Sequence, residues 1–401
     1  MEFEIIRKRY ERAHATMQSM AIDAWISLGR ETTILGEPAL ELLLPFQVMG
    51  RTAVVLYRSG ETACLVSPME AEELVESGLF SCVCLHRSPD EFADELRNLI
   101  QSCGGFARIA LNISDSDPSA DGLTMTNYKL LTRLFQEAGV TAEVVSSAPL
   151  MKKVRANKSA VEVEAIACTV QAAMGVYDDV RQLICQGQSG RELQGIIQRL
   201  IDSKGYGYSW QKEGNPYISV GTRSSYLCKR PPEDVFIEPG DVINIDMGLQ
   251  INGYASDNQR TFYALKAGET TPPSEVVHAW ETLQMINRAV CHGMKAGVCS
   301  DDLTAIGNEV MLSRGFKQGW TGAFGHELHF YAHHGGIKAG YTPYMPELDK
   351  TLEENMVFTL EPSLITPYGR VCQEEVVCVT ATGGIMLSTP QNSIWTIPYP
   401  R

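Results

Sequence analysis

The chain has no uninterrupted run of eighteen apolar residues, the minimum for a membrane-spanning helix. Its first residues, Met1 to His14, are charged and amphipathic and lack the apolar core of a secretory signal. Basic residues are scarce. Lys and Arg number 34 against 48 Asp and Glu, a net charge of −14 over 401 residues. That balance argues against nucleic acid or an anionic membrane as a partner. CxxC pairs are missing, and the eleven cysteines are odd in number and scattered, so no disulfide scaffold is expected. Cys82, Cys84, Cys168 and Cys378 lie in apolar runs and read as buried thiols. Histidine is sparse as well, and none occurs between His86 and His278. A soluble, cytoplasmic protein acting on small molecules is the expectation.

What remains is ordinary globular material, 44% apolar and 20% charged, and long enough for two domains. Phe3, Ile6, Tyr10, Ala13 and Met17 are spaced for one face of a helix over 3–21. Residues 24–28, 52–57, 63–66 and 107–111 read as strands, and 70–77, 90–102 and 126–138 as helices. Such alternation predicts an α/β domain over residues 1–150. A polar stretch near 152–159 reads as the linker that opens a second domain, 151–401. There, helices are expected over 159–185, 190–203, 274–296 and 300–314, with a strand hairpin after each pair. This order suggests two related halves facing each other. The aromatic, glycine-broken stretch 205–210 reads as core filling or as pocket lining.

The two hairpins carry the chemistry. Asn252-Gly253 is the two-residue turn best suited to a hairpin. It pairs Ile251 with Tyr254 and sets Asp246 opposite Gln259. Asp257 then lies on the same face, diagonal to Asp246 and roughly 7 Å away, where a cation would relieve the repulsion. In the second hairpin a turn near Tyr368 makes Glu361 face Glu374. Glu375 points to the other face, because side chains alternate. Carboxylates inside apolar strands need partners. Gly325-His326-Glu-Leu-His329-Phe-Tyr-Ala-His333-His334 holds half the histidines of the chain. Its HxxH spacing allows a separate metal site on a helix, although the flanking glycines favour a loop or short strand. Four carboxylates and one imidazole suit Mn(II), Co(II), Zn(II) or Fe(II).

The string from Gly240 to Phe262, with its D-x-G-x8-D-x2-R pattern, resembles the pita-bread metallopeptidase superfamily. So do Gly325-His326, Phe358-Thr-Leu-Glu-Pro362 and Glu374-Glu-Val-Val-Cys-Val-Thr380. The resemblance is to the creatinase, aminopeptidase P and prolidase branch, and runs from about Met151 to the C-terminus. It implies an α/β plus α+β fold: a creatinase-like N-terminal α/β domain, then a pita-bread domain of two pseudo-symmetric halves. It implies Asp246, Asp257, His326, Glu361 and Glu374 as ligands of two divalent metal ions. Glu361 would also be the general base, and His333 a second catalytic group. The reaction implied is metal-dependent hydrolysis of an amide bond in a small peptide or peptide-like substrate, of the Xaa-Pro aminopeptidase or prolidase type, by a homodimer. A C–N hydrolase or lyase for a small metabolite on the same scaffold is the alternative.

Several positions depart from the family pattern. No His stands 17 or 18 residues before Asp246, where the chain reads Tyr226-Leu-Cys-Lys-Arg230. Glu327-Leu-His329 replaces the usual Gly-x-Gly, and His333 is followed by His334 in place of Glu. Cys372 stands where prolidase-like members carry an Arg for the substrate carboxylate. Arg370, Lys229 or Arg230 could supply that charge from another direction.

Overall fold

A helix with one apolar face opens the chain, Glu2–Met20, and buries Ile6, Tyr10, Ala13 and Met17. The structure is a computed structural model and describes residues 2–102, 105–115, 117–224, 230–317, 325–333 and 351–400. The chain divides into two compact units, Met1–Ser159 and Ala160–Arg401.

The first unit is built on one six-stranded sheet. Its strands run in the order Cys82–Leu85, Thr62–Val66, Thr52–Tyr57, Ala24–Gly29, Arg108–Leu111, Glu143–Ser146. Ala24–Gly29 pairs antiparallel with Thr52–Tyr57 on one side and parallel with Arg108–Leu111 on the other. The central strands are buried along their length, whereas the two edge strands are largely not. Those edges, Cys82–Leu85 and Glu143–Ser146, were not expected from the sequence, because a half-exposed edge strand carries little apolar signal. The reading of Cys82, Cys84 and Cys168 as buried thiols is corrected. Cys82 and Cys168 are exposed and Cys84 is half-buried, while Cys378 is buried. Cys168 sits on the outer side of a helix whose Ile166 and Val170 face inward.

The expected linker is instead largely helical, Ala148–Ala156, and belongs to the first unit. Its basic residues misled the reading. Arg155 is fully buried and pairs with the equally buried Asp117 at 3.6 Å.

The second unit opens with the helix Ala160–Leu183. By length and composition this helix could cross a membrane. Its inner face, however, runs through two apolar clusters, Ile166 and Val170 in one and Ala173, Val176, Tyr177 and Val180 in the other. The helix Gly190–Ser203 follows, closed at its start by a reciprocal Ser189 and Glu192 cap. The base of the first hairpin lies in a four-stranded sheet ordered Trp395–Ile397, Asn258–Ala264, Val242–Met247, Tyr217–Val220, and its turn end in a three-stranded sheet ordered Tyr254–Ala255, Leu249–Ile251, Gly207–Tyr208. Helices Ser274–Gly293 and Ser300–Ser313 precede the second hairpin.

Both hairpins keep the expected register. Ile251 pairs with Tyr254, and Asp246 with Gln259. In the second, Leu360 pairs with Glu375 and Ser363 with Cys372, so Glu361 and Glu374 fall opposite each other between them. The strands themselves are interrupted at the carboxylates. The breaks separate Tyr254–Ala255 from Asn258–Ala264, Val357–Leu360 from Ser363–Thr366, and Gly369–Cys372 from Glu375–Val379. Asp257, Glu361 and Glu374 each sit in a break, where local irregularity can re-aim a side chain.

Tyr177 fixes the base of the first hairpin. Its hydroxyl, fully buried, donates towards the carbonyls of Ile245 (3.0 Å) and Asn258 (2.6 Å) on adjacent strands. Tyr177→Phe leaves those acceptors unsatisfied by the phenol and should cost about 1–2 kcal/mol. The shift of the urea unfolding midpoint, at unchanged slope, measures it. An unchanged midpoint would show that the hydroxyl ties nothing together.

Candidate metal centre

Each site residue is delivered by a different piece of backbone. Asp246 lies near the end of Val242–Met247 and Asp257 at the break in the return strand. His326 comes from the segment 325–333, whose Glu327 bridges to Phe358. Thr359 and His326 hold each other: Thr359 N donates to the His326 carbonyl at 3.0 Å, and His326 N donates to Thr359 Oγ1 at 3.1 Å. Gly325 makes this approach feasible, because a Cβ there would collide with Thr359 Oγ1 and Glu361 Oε1.

The donors converge. One atom each from Asp246, Asp257 and Glu374 lies within 4.8 Å of the others, and the same holds for His326, Glu361 and Glu374. A third such group is Asp257, His326 and His333. His326 Nε2 is 3.5 Å from Asp257 Oδ2 and 3.9 Å from Glu361 Oε1. Asp257 and Glu374 are almost wholly buried; Glu361 keeps 19% of its side chain exposed. The structure thus gathers every site residue expected from the sequence, with exposed His333 at the rim, its ring 4.6 Å from that of His326.

Electrostatics show what the cluster needs. Burial, then the charge of Glu361, holds the Asp257 carboxyl well above the usual range, with a hydrogen bond to Asp246 acting the other way. Glu374 is raised by burial, then by Asp257, Glu361 and Asp246, against a hydrogen bond from Gln259. Glu374 Oε2 accepts from Gln259 Nε2 at 2.8 Å, while buried Oε1 has no hydrogen-bond partner among the described residues. A buried acceptor aimed at three other carboxylates is the mark of a cation site. Oxygen donors with one or two imidazoles fit divalent Mn, Co, Zn or Fe.

Two further residues border the site, Gln259, which the sequence left without a role, and Trp210, from the stretch read as core filling or pocket lining. Gln259 was placed opposite Asp246 without a role, yet it anchors Glu374. Trp210 stacks on Tyr217 at 5.8 Å and meets His333 at 5.9 Å, so the glycine-broken aromatic stretch reaches the rim of the site. The D-x-G pattern held the clue to it, since a Cβ on Gly248 would collide with Trp210 and Ser209.

The departures from the family pattern resolve differently. His329 turns away from the cluster: fully buried, it lies 3.5 Å from Glu162 and packs edge-on against Tyr254. Residues 325–333 form no helix, so the separate helical metal site is not there. Cys372 is buried, and its thiol is pushed up to about 12 by burial, with Arg370 acting the other way. Arg370 donates to the Cys372 sulfur at 3.2 Å and to Ser363 Oγ at 2.6 Å. Residues 226–229, Lys229 among them, and His334 lie outside the described residues.

Comparison with known proteins gives the same picture. Residues 164–385 match the profile of metallopeptidase family M24. The chain is 25% identical over 266 residues to an Xaa-Pro dipeptidase of Pyrococcus furiosus, covering 65% of this chain and 71% of that one. It is 23% identical over 357 residues to a probable dipeptidase PepE of Mycobacterium tuberculosis, covering 86% of each. Among solved structures, the X-Pro aminopeptidase of Thermotoga maritima superposes with a TM-score of 0.74 at 20% identity, over 96% of this chain and 100% of that one. The last likeness is one of fold: an N-terminal domain followed by a pita-bread domain.

Adjacent glutamates separate the site from its support. Glu375 faces away and pairs with buried Arg260 at 3.1 Å, and Ser388 donates to it. Glu375→Gln leaves Arg260 uncompensated and should cost about 3 kcal/mol in denaturant stability. Glu374→Gln should instead weaken metal retention and stabilise chelator-treated protein at neutral pH. If the two variants exchange these effects, the register is wrong.

A pH dependence follows from the raised carboxyls. Folded values above the unfolded ones, about 3.9 for Asp and 4.3 for Glu, give a contribution fully present below about pH 4. It is lost as pH rises through the folded values. In chelator, the melting temperature of wild type should therefore fall relative to that of Glu374→Gln between about pH 5 and about pH 8, and excess Mn(II) should reverse the difference by stabilising wild type more than the variant. A constant difference across that interval contradicts the buried-carboxylate account.

Proposed function

The chain belongs to metallopeptidase family M24, and from that premise we propose a metal-dependent hydrolase that cleaves the amide bond before proline in small peptides. The observation that carries it is the convergence of Asp246, Asp257, His326, Glu361 and Glu374 into overlapping donor groups. Two groups that share Glu374 support two adjacent cation positions per chain, held by these five residues. Divalent cations there would lower the pKa of a water molecule and polarise the scissile carbonyl.

The residues divide the remaining work. Asp246, Asp257, Glu374 and His326 are fixed by neighbouring strands and hold position. Glu361 is more exposed than Asp257 or Glu374, so it can exchange a proton, taking one from the nucleophilic water and passing it to the leaving amine. His333, at the exposed rim, is placed to donate to the oxygen on which charge develops. Trp210 and Tyr217 offer a flat apolar wall beside it.

Arg370 supports a substrate carboxylate. In a strand, residues two apart share a face, so Arg370 presents its guanidinium on the side of Cys372. The positive charge missing at position 372 is thus restored two residues earlier. Cys372 itself favours the second reading, a non-peptide amide substrate that needs no bidentate Arg. A homodimer is proposed on the family resemblance, and light scattering tests it.

Elemental analysis after loading with Mn(II), Co(II), Zn(II) or Fe(II) should find about two metals per chain. Loaded enzyme should hydrolyse Xaa-Pro peptides, and Asp257→Asn should abolish turnover with the fold intact. Arg370→Leu should raise KM for Ala-Pro about tenfold or more, from loss of a charge-assisted contact. It should change KM little for an amidated Ala-Pro. Metal-loaded protein that leaves every Xaa-Pro peptide intact but hydrolyses small amides establishes the second reading. Equal effects of Arg370→Leu on both peptides remove the carboxylate role.

A further inference from the structure

The first unit carries a polar crevice that the hydrolytic reading does not use. Strand Ala24–Gly29 is the point where the sheet changes direction. From it the chain passes to Thr52–Tyr57 on one side, and later returns to Arg108–Leu111 on the other. In open α/β sheets such a switch point leaves a crevice beyond the carboxyl ends of the two parallel strands, and ligands bind there. A cavity of about 220 Å³ occupies this position. Its walls come from the segments that follow the two parallel strands, 28–37 and 122–127, and from Arg51, just ahead of Thr52–Tyr57. That is smaller than drug-sized pockets, which start at about 300 Å³.

The chemistry of the walls is divided. Arg30 and Arg51 line one part, and neither guanidinium has a carboxylate partner among the described residues. Arg30 is close enough to disfavour the charge of Arg51, which is lowered by burial, then by Arg30. The helix Met125–Glu137 begins in the same wall. Thr124 caps it, and Thr126 and Asn127 face the cavity. Two cations without a carboxylate partner, the Arg51 guanidinium lying over the Phe92 ring at 5.5 Å, stand beside a helix start and favour an anion.

Glu37 makes the site more than a helix start. It is only 4% exposed. Oε1 accepts from Asn112 Nδ2 at 2.7 Å and from Ala39 N at 3.2 Å, and Asn112 is itself fixed by Trp25 and Ser147. Oε2 is buried and has no hydrogen-bond partner among the described residues. It lies against Gly122, where a Cβ would crowd it. Burial, and to a lesser degree Asp121, pushes the carboxyl up to about 7, with the hydrogen bonds from Ala39 and Asn112 opposing. Neither Arg30 nor Arg51 contributes to that balance, so the acid and the cations are not paired with each other. Among the described residues Glu37 Oε2 thus lacks a donor, as the two guanidiniums lack a carboxylate.

The structure assigns to this crevice a small amphoteric ligand of amino-acid size, its carboxylate against Arg30 and Arg51 and its amino group donating to Glu37. One molecule of that kind satisfies both ends at once. A plain anion would leave Glu37 Oε2 without a donor.

Calorimetric titration of the full chain in chelator, where hydrolysis is off, tests it. The probes are the L-α-amino acids one by one, the corresponding carboxylic acids without the amine, and inorganic phosphate. At least one amino acid should bind, one per chain. Arg51→Gln and Arg30→Gln should each weaken it tenfold or more, and Asp257→Asn should leave it unchanged. Glu37→Gln should weaken the amino acid but not its amine-free analogue. Because Arg30 is exposed, Arg30→Gln tests the site even where Glu37→Gln lowers stability. Hydrolysis by metal-loaded Arg30→Gln should match wild type. No amino-acid binding at millimolar concentration, binding that is lost in Asp257→Asn but kept in Arg51→Gln, or phosphate binding alone would each overturn the assignment.

Discussion

Gln259 donates to Glu374 across 115 residues of sequence, and around that bond two hairpins are laced into one site. Arg260 and Asn258 hold the Glu374 carbonyl at 2.8 and 3.3 Å, and Arg260 pairs behind it with Glu375. Thr261 and Cys372 exchange hydrogen bonds a little further on. This lacing is polar and buried, so each member is costly to remove. It forces four carboxylates into one space, where burial and mutual repulsion oppose the ionisation of Asp257 and Glu374. The cluster is therefore a poor stabiliser by itself and a strong cation site. Stability comes from the apolar clusters, and the Arg260–Glu375 pair beneath the site is costly to break.

The same economy explains the broken strands. A continuous ladder would alternate its side chains strictly and could not aim Asp257, Glu361 and Glu374 at one point. Interrupting the pairing at each carboxylate frees the side chain to turn while the flanking ladder keeps its register. Gly248 and Gly325 serve the same end by letting Trp210 and Thr359 approach the backbone beside the ligands.

The two units use charge differently. In the second, like charges are concentrated, which calls for metal. In the first, Arg30 and Arg51 are set apart from Glu37, which calls for a ligand bearing both signs. Elsewhere in the first unit charge is simply paired, as in Arg155 with Asp117. The distinction lies in whether a partner is supplied by the fold.

The local pattern of the sequence determined a good deal by itself. The Asn252-Gly253 turn and the period of two set Asp246 against Gln259 and Glu361 against Glu374, because hairpin register is fixed by the turn. Apolar spacing placed the long helices to within a few residues. The family resemblance named the five ligands, but it could not bring them together. Only the tertiary structure decided that His326 reaches Asp257 and Glu361, that His329 turns away to Glu162, and that Arg370 covers Cys372. The linker that became a helix, the exposed thiols and the unseen edge strands belong to the same class. Periodicity reports which side of an element is apolar; it carries no information on which polar side chain will find a buried partner from a distant segment.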